Sequence, residues 1–149
     1  MARKNKNPFA SVDGLENGKA FATLSCRQAK STAYMNLSST AKAVLMAMKL
    51  QRQFYTGIDR KTGEQKALHG NVLEFTFSRH EQRLYGFTSP NATHRAMQEL
   101  VKNGFVSVVE NNGHRKTANV FRFTGAWKLL DEGKEIPLTA SDKTYLREQ

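Results

Sequence analysis

The chain has 149 residues, 39% hydrophobic and 24% charged, with one cysteine and a net charge of +10. This is the balance of one globular domain with a modest core, and a single cysteine excludes an internal disulfide framework and a cysteine-rich zinc site. No stretch approaches the roughly 18 continuous apolar residues of a membrane span, and the basic N-terminus has no apolar run of a secretory signal behind it, so a cytoplasmic protein of bacterial, phage or plasmid type fits.

Residues 1–20 carry Arg3, Lys4 and Lys6, two glycines and little apolar content, and read as a flexible basic arm. Residues 21–36, "FATLSCRQAKSTAYMN", fit either a short strand or a turn of helix. "LSSTAKAVLMAMKLQRQFY" (37–55) is the clearest helix. Ser38 or Ser39 can cap it. Ala41, Val44, Leu45 and Met48 keep the i, i+3, i+4, i+7 spacing, and Met46 and Leu50 widen the apolar face, so this is the central buried helix.

"TGIDRKTGEQKALHGN" (56–71) is a long loop or a small hairpin around "RKTGE". "VLEFTF" (72–77) is a short strand. Ser78 with Glu81 forms a capping box for a short helix, which Gly86 ends. Ser89 is the natural N-cap of the next helix, and Pro90 takes its first position, where the missing N–H does no harm. Its inward stripe is Ala92 or Thr93, then Ala96, Met97, Leu100 and Val101, and Gly104 closes it. "FVSVVE" (105–110) and "NVFRF" (119–123) are strands joined by the basic "NNGHRKTA" (111–118), where "NNG" signals a turn. Trp127 reads as core or dimer packing. The expected division is an arm at 1–20, a domain at 21–130 and a partly helical tail at 131–149.

Charge follows that division. Residues 1–30 hold six basic against two acidic side chains, residues 31–130 fourteen against six, and residues 131–149 three against five. The excess sits on the arm and the folded part, the footprint expected for a polyanionic partner.

The stretch "SRHEQRLYGFTSPNATHRAMQELVKNGFVSVVE" and the hairpin after it resemble the winged helix-turn-helix family over residues 37–127. The Thr-x-x-Arg-Ala-hydrophobic pattern with a Leu and a Gly before the first wing strand reads here as "ATHRAMQELVKNGFV". The resemblance implies an α+β fold, a three-helix core with a small antiparallel β wing, extended by the basic arm and the C-terminal segment. It also implies binding to double-stranded DNA. The chain is further similar to small winged-helix proteins of plasmids and conjugative elements that act in replication, partition or transfer.

Chemistry leads to the same partner. A helix fits the B-DNA major groove, and its first turns usually contact bases. Asn91, Thr93, His94, Arg95 and Gln98 lie in the first turns of the helix at 90–103, with Ser89 at its cap and Lys102 near its end. Arg95 suits guanine, Asn91 and Gln98 suit adenine, and the free amides near Ser89 favour a phosphate. Arg79 opens the preceding helix. His114, Arg115 and Lys116 on the hairpin tip can lie along the minor groove or backbone, and Arg3, Lys4 and Lys6 can add contacts from the arm.

His69, His80, His94 and His114 are scattered without metal-ligand spacing, Cys26 has no nearby histidine, and no phosphate-binding loop is present. The expectation is therefore no enzyme, no metal, no cofactor and no evident small-molecule effector. The competing readings are a winged-helix protein-interaction module and an RNA binder, the latter needing exposed aromatics from among Phe105, Phe121 and Phe123. A homodimer reading two half-sites is open.

Overall fold

The clearest helical stretch in the sequence becomes a central buried helix. The computed structural model describes residues 22–53, 56–58, 65–67, 74–112 and 117–148. Within these, the elements run α1 (Cys26–Ala29), α2 (Thr32–Met35), α3 (Ser39–Gln53), β1 (Thr56–Ile58), β2 (Gln65–Ala67), β3 (Glu74–Thr76), α4 (Arg79–Leu84), α5 (Pro90–Lys102), β4 (Val106–Glu110), β5 (Val120–Phe123), α6 (Lys128–Asp131) and α7 (Ala140–Arg147). The fold is mixed α+β: seven helices among the described residues, with a small three-stranded antiparallel sheet. No helix among them is long and apolar enough to cross a membrane.

Ala41, Val44, Leu45 and Met48 of α3 are all fully buried, as their spacing requires. The helix start is tied to α5. Ser38 Oγ accepts from the Ala41 amide, while the Ser38 amide and hydroxyl both donate to the Glu99 carboxylate, at 2.9 and 2.7 Å. At the other end Gln51 donates to Glu81 of α4. The ambiguous 21–36 segment forms two one-turn helices, each capped by a serine, Ser25 and Ser31. One turn is too short to hold by itself. Distant side chains hold these two: Lys49 donates to Gln28 Oε1 of α1 and to the Thr23 carbonyl just before it, and the Thr32 amide donates to Asp131 from 99 residues away.

The sheet order is β3-β5-β4, with Phe75 opposite Phe121 and Val108 opposite Phe121 on the other side. Alternation turns Phe75, Phe121, Val106 and Val108 into the core, where they meet Leu100, Met97 and Phe105. Phe105 and Phe121 are 1% exposed. Phe123 is half-buried and stacks on Phe75 with ring centroids 4.5 Å apart. Trp127 lies parallel to Phe105 and is buried, as its size and its neighbours suggest, with Arg27 and Lys128 over its faces. The basic stretch at 56–71 contains a hairpin, with β1 paired to β2 from Thr56↔Ala67 to Ile58↔Gln65.

The C-terminal segment closes the domain. Thr139 and Asp142 form a capping box that starts α7. Asp142 then reaches the free edge of β4: its carboxylate accepts from the Val108 amide at 2.7 Å and from the Ser107 hydroxyl. Tyr145, three residues on and so on the same helix face, is 1% exposed and meets Phe121 edge-on at 5.7 Å.

Candidate nucleic-acid interface

α4 and α5 form a helix pair joined by a tight turn. The capping box expected at Ser78 and Glu81 is present. The turn passes through Gly86, whose φ of 86° is the left-handed conformation a glycine adopts without strain. Phe87 returns to the core beside Phe77. Ser89 caps α5 by accepting from the Ala92 amide, and Pro90 occupies the first turn. The Ser89–Pro90–Asn91 corner is exposed; Pro90 has no N–H to donate, and the Ala92 and Thr93 amides are taken by Ser89.

Five residues form the buried stripe of α5: Thr93, Ala96, Met97, Leu100 and Val101. Thr93 is thus not on the outer face. It is 2% exposed, and its hydroxyl donates to the Ser89 carbonyl at 2.9 Å. This burial and the bond to Ser89 settle the choice between Ala92 and Thr93 in favour of the threonine.

The outer residues divide into two groups. Asn91, Arg95 and Lys102 are exposed and run along one line, with Arg95 Nε donating to the Asn91 carbonyl. His94 and Gln98 lie on the flank covered by α7. The His94 ring stands edge-to-face against Tyr145 with centroids 5.0 Å apart, and its Nε2 is buried with no hydrogen-bond partner among the described residues. Gln98 Nε2 donates to the carbonyls of Tyr145 and Glu148, at 3.0 and 2.8 Å. Burial pushes the Tyr145 phenol well above its ordinary range, and the Glu148 charge adds to that.

The β4–β5 hairpin rises beside the start of α5. Asn112 closes its described base, with its amide donating to Asn119 Oδ1 and its side chain to the Ala118 carbonyl. The tip residues His114, Arg115 and Lys116, and the arm residues Arg3, Lys4 and Lys6, lie outside the described residues. A crevice of about 340 Å³ separates the starts of α4 and α5 from the returning arm of the hairpin; Arg79, Asn91, His94, Asn119 and Glu148 line it. The helix start and the described base of the hairpin therefore flank one crevice. Asn111 donates to the Glu148 carboxylate at 2.6 Å, so the end of α7 joins the hairpin to α5.

Electrostatically this side is open and basic. Arg79, Arg83, Arg95 and Lys102 are all exposed, and no ion pair among the described residues engages them. The described ion pair, Lys134 with Glu132, lies in the C-terminal loop. Among the described residues no three of His, Cys, Asp and Glu gather as metal ligands.

Two partners of this site were not expected from the sequence: Tyr145 and Glu148. Residues 131–149 read in the sequence only as a partly helical tail; the Thr139-x-x-Asp142 pattern is a signal that could have marked the helix, and the i, i+3 pair of Asp142 and Tyr145 its inward face. Which surface that face would meet had no local signal. Compared with protein-family models, with curated proteins and with solved structures, the chain matches none.

Proposed function

We propose that the protein binds double-stranded DNA as a winged helix-turn-helix module, with α5 in the major groove and the β4–β5 hairpin as a wing at the minor groove or backbone. It acts in transcriptional control or as an accessory factor at a plasmid or mobile-element origin. The observation that carries the reading is that the exposed Ser89–Pro90–Asn91 corner and the described base of the hairpin flank one crevice. Four unpaired cations on the same pair of helices agree with it, since neutralising phosphates supplies most of the affinity for a duplex. Arg95 then presents a fork for guanine O6/N7, and Asn91 an amide for adenine N6/N7. Arg79 and Lys102 reach phosphates on either side.

The alternatives are less well supported. A single-strand or RNA reader needs a row of exposed aromatics, and Phe105 and Phe121 are in the core with Phe123 stacked on Phe75. A protein-docking module has no need of the basic excess on the folded part.

The test separates reading from anchoring. Asn91→Ala and Arg95→Ala are each expected to cost about 1–3 kcal/mol on a selected duplex and to relax preference at one base pair. Arg115→Ala with Lys116→Ala should weaken binding to all sequences alike and lower the salt slope by up to about 2. Binding constants from fluorescence anisotropy over a range of salt check both. Unchanged affinity and preference in the Asn91 and Arg95 variants would reject α5 as the reading helix.

A further inference from the structure

We infer that α7 decides which residues of α5 read the duplex: Asn91 and Arg95 face the bases, whereas Gln98 is a positioning residue that serves α7 and His94 lies beneath it. The inference rests on the duplex-DNA reading above and narrows its contact set.

The chemistry of Gln98 carries it. A glutamine recognises adenine by giving one amide hydrogen to N7 and accepting from N6 at its carbonyl oxygen. A side-chain amide has two hydrogens, and Gln98 gives one to the Tyr145 carbonyl and one to the Glu148 carbonyl. Those carbonyls lie at the C-terminal end of α7: the Tyr145 carbonyl also accepts from the Glu148 amide at 3.2 Å, and Glu148 is the cap residue. Gln98 thus completes the C-terminal end of α7 and has no donor left for a base.

His94 is removed by the same helix. Its ring stands edge-to-face against Tyr145 and its Nε2 is buried, so that nitrogen is closed to a base edge. Displacing α7 to free it would withdraw Tyr145 from the core and Asp142 from the edge of β4, so α7 remains in place when the duplex binds.

The same turn also sets the spacing of the interface. Glu148 takes Gln98 of α5 at its backbone carbonyl and Asn111 of the hairpin at its carboxylate. One residue therefore holds the helix and the hairpin at a fixed separation, and the major-groove and backbone contacts depend on it together. Asn91, Arg95 and Lys102, the line that α7 leaves uncovered, are what the groove meets.

The deciding experiment compares wild type with Gln98→Lys, Gln98→Ala and His94→Ala, all as full chains, by selection from a randomised duplex library and by amide exchange. A lysine at 98 still donates to both carbonyls, and its charge suits a helix C-terminus. Gln98→Lys is therefore expected to keep the wild-type base preference at every position. If residue 98 read a base, the same change would exchange adenine for guanine at one position by on the order of tenfold. Gln98→Ala should weaken binding to all sequences alike and raise exchange over residues 144–148 roughly tenfold. A preference altered at a single base pair in Gln98→Lys or His94→Ala would overturn the inference, as would unchanged exchange in Gln98→Ala. A wild-type chain that selects no duplex would defeat the DNA reading instead, and the exchange measurement would still decide whether Gln98 is a clamp.

Discussion

Replacing Gly104 with alanine is expected to destabilise the domain by about 3–5 kcal/mol. Gly104 ends α5 with a φ of 80°, where an L side chain is strained. A Cβ there would stand 2.7 Å from the Trp127 amide nitrogen and 2.9 Å from the Ala126 carbonyl carbon. Both are backbone, and neither can turn aside. The loop is drawn in because Gly104 itself holds it: its carbonyl accepts from the Trp127 amide at 3.1 Å and from the Thr124 hydroxyl at 2.6 Å. The substitution would separate the end of α5 from the loop that carries Trp127. Gly86 is the internal control, because its φ is 86° but a Cβ would meet nothing within 4 Å. Gly86→Ala should therefore cost only the backbone strain, about 1 kcal/mol. Urea unfolding of the two variants checks this, and equal losses would show that the contact with Trp127 contributes nothing.

Tyr145→Ala is expected to cost a comparable amount, about 3–5 kcal/mol, as truncation of a buried aromatic commonly does. Its ring is buried against Phe121 and His94, so the loss should appear in global stability and in the protection of α7 alike. Tyr145→Phe keeps the ring and should stay within about 1 kcal/mol of wild type at neutral pH. The two proteins should separate in alkali. Burial raises the Tyr145 phenol above its ordinary value of 10.0, so the folded state holds this proton more tightly than the unfolded chain does. That contribution is complete below pH 10 and is lost as the pH rises beyond it. Unfolding midpoints measured from pH 8 to 11 should fall for wild type and fall less for Tyr145→Phe. Parallel curves would mean that another group governs the alkaline transition.

What could be read in the sequence was whatever is encoded within one turn of chain. Ser78 with Glu81, Ser89 before Pro90, and Gly86 and Gly104 after their helices each act within a few residues, and each occurs where the spacing puts it. The strands at 74–76, 106–110 and 120–123 follow from alternation and from β-branched and aromatic content. The rest depends on contacts between distant residues. The one-turn helices at 26–29 and 32–35 are held from a distance, the first by Lys49 through Gln28 and the second by Asp131 through the Thr32 amide. Thr93 fits both faces of an ideal wheel at the level of pattern, and only the bond to Ser89 and the packing beneath it decide. Gln98 has the composition of a base reader; its engagement depends on α7, 47 to 50 residues away. Charge misleads in the same way: the mildly acidic stretch at 131–149 reads as a tail, yet it supplies Asp142 to the sheet edge and Tyr145 to the core.

These contacts also bear on how much of α5 is available. The helix is packed on its inner face by the sheet, on one flank by α3 through Glu99 and on the other by α7 through Gln98. What remains is a narrow line and an exposed N-terminal corner. On the proposed reading such a helix would meet a groove by its start, where the exposed Asn91 and Arg95 lie near the positive end of the helix dipole.

The central claim is that this face binds duplex DNA, and a competition titration tests it most directly. A labelled, selected duplex of about 25 base pairs, a span of more than two helical turns, is challenged with unlabelled duplex, single-stranded DNA of the same sequence and duplex RNA, at several salt concentrations. The account predicts that duplex DNA competes at least tenfold better than either alternative, with log affinity falling against log salt at a slope near −5 for about six phosphates contacted. Equal competition by single strands or RNA, or duplex affinity weaker than about millimolar at physiological salt, would contradict it.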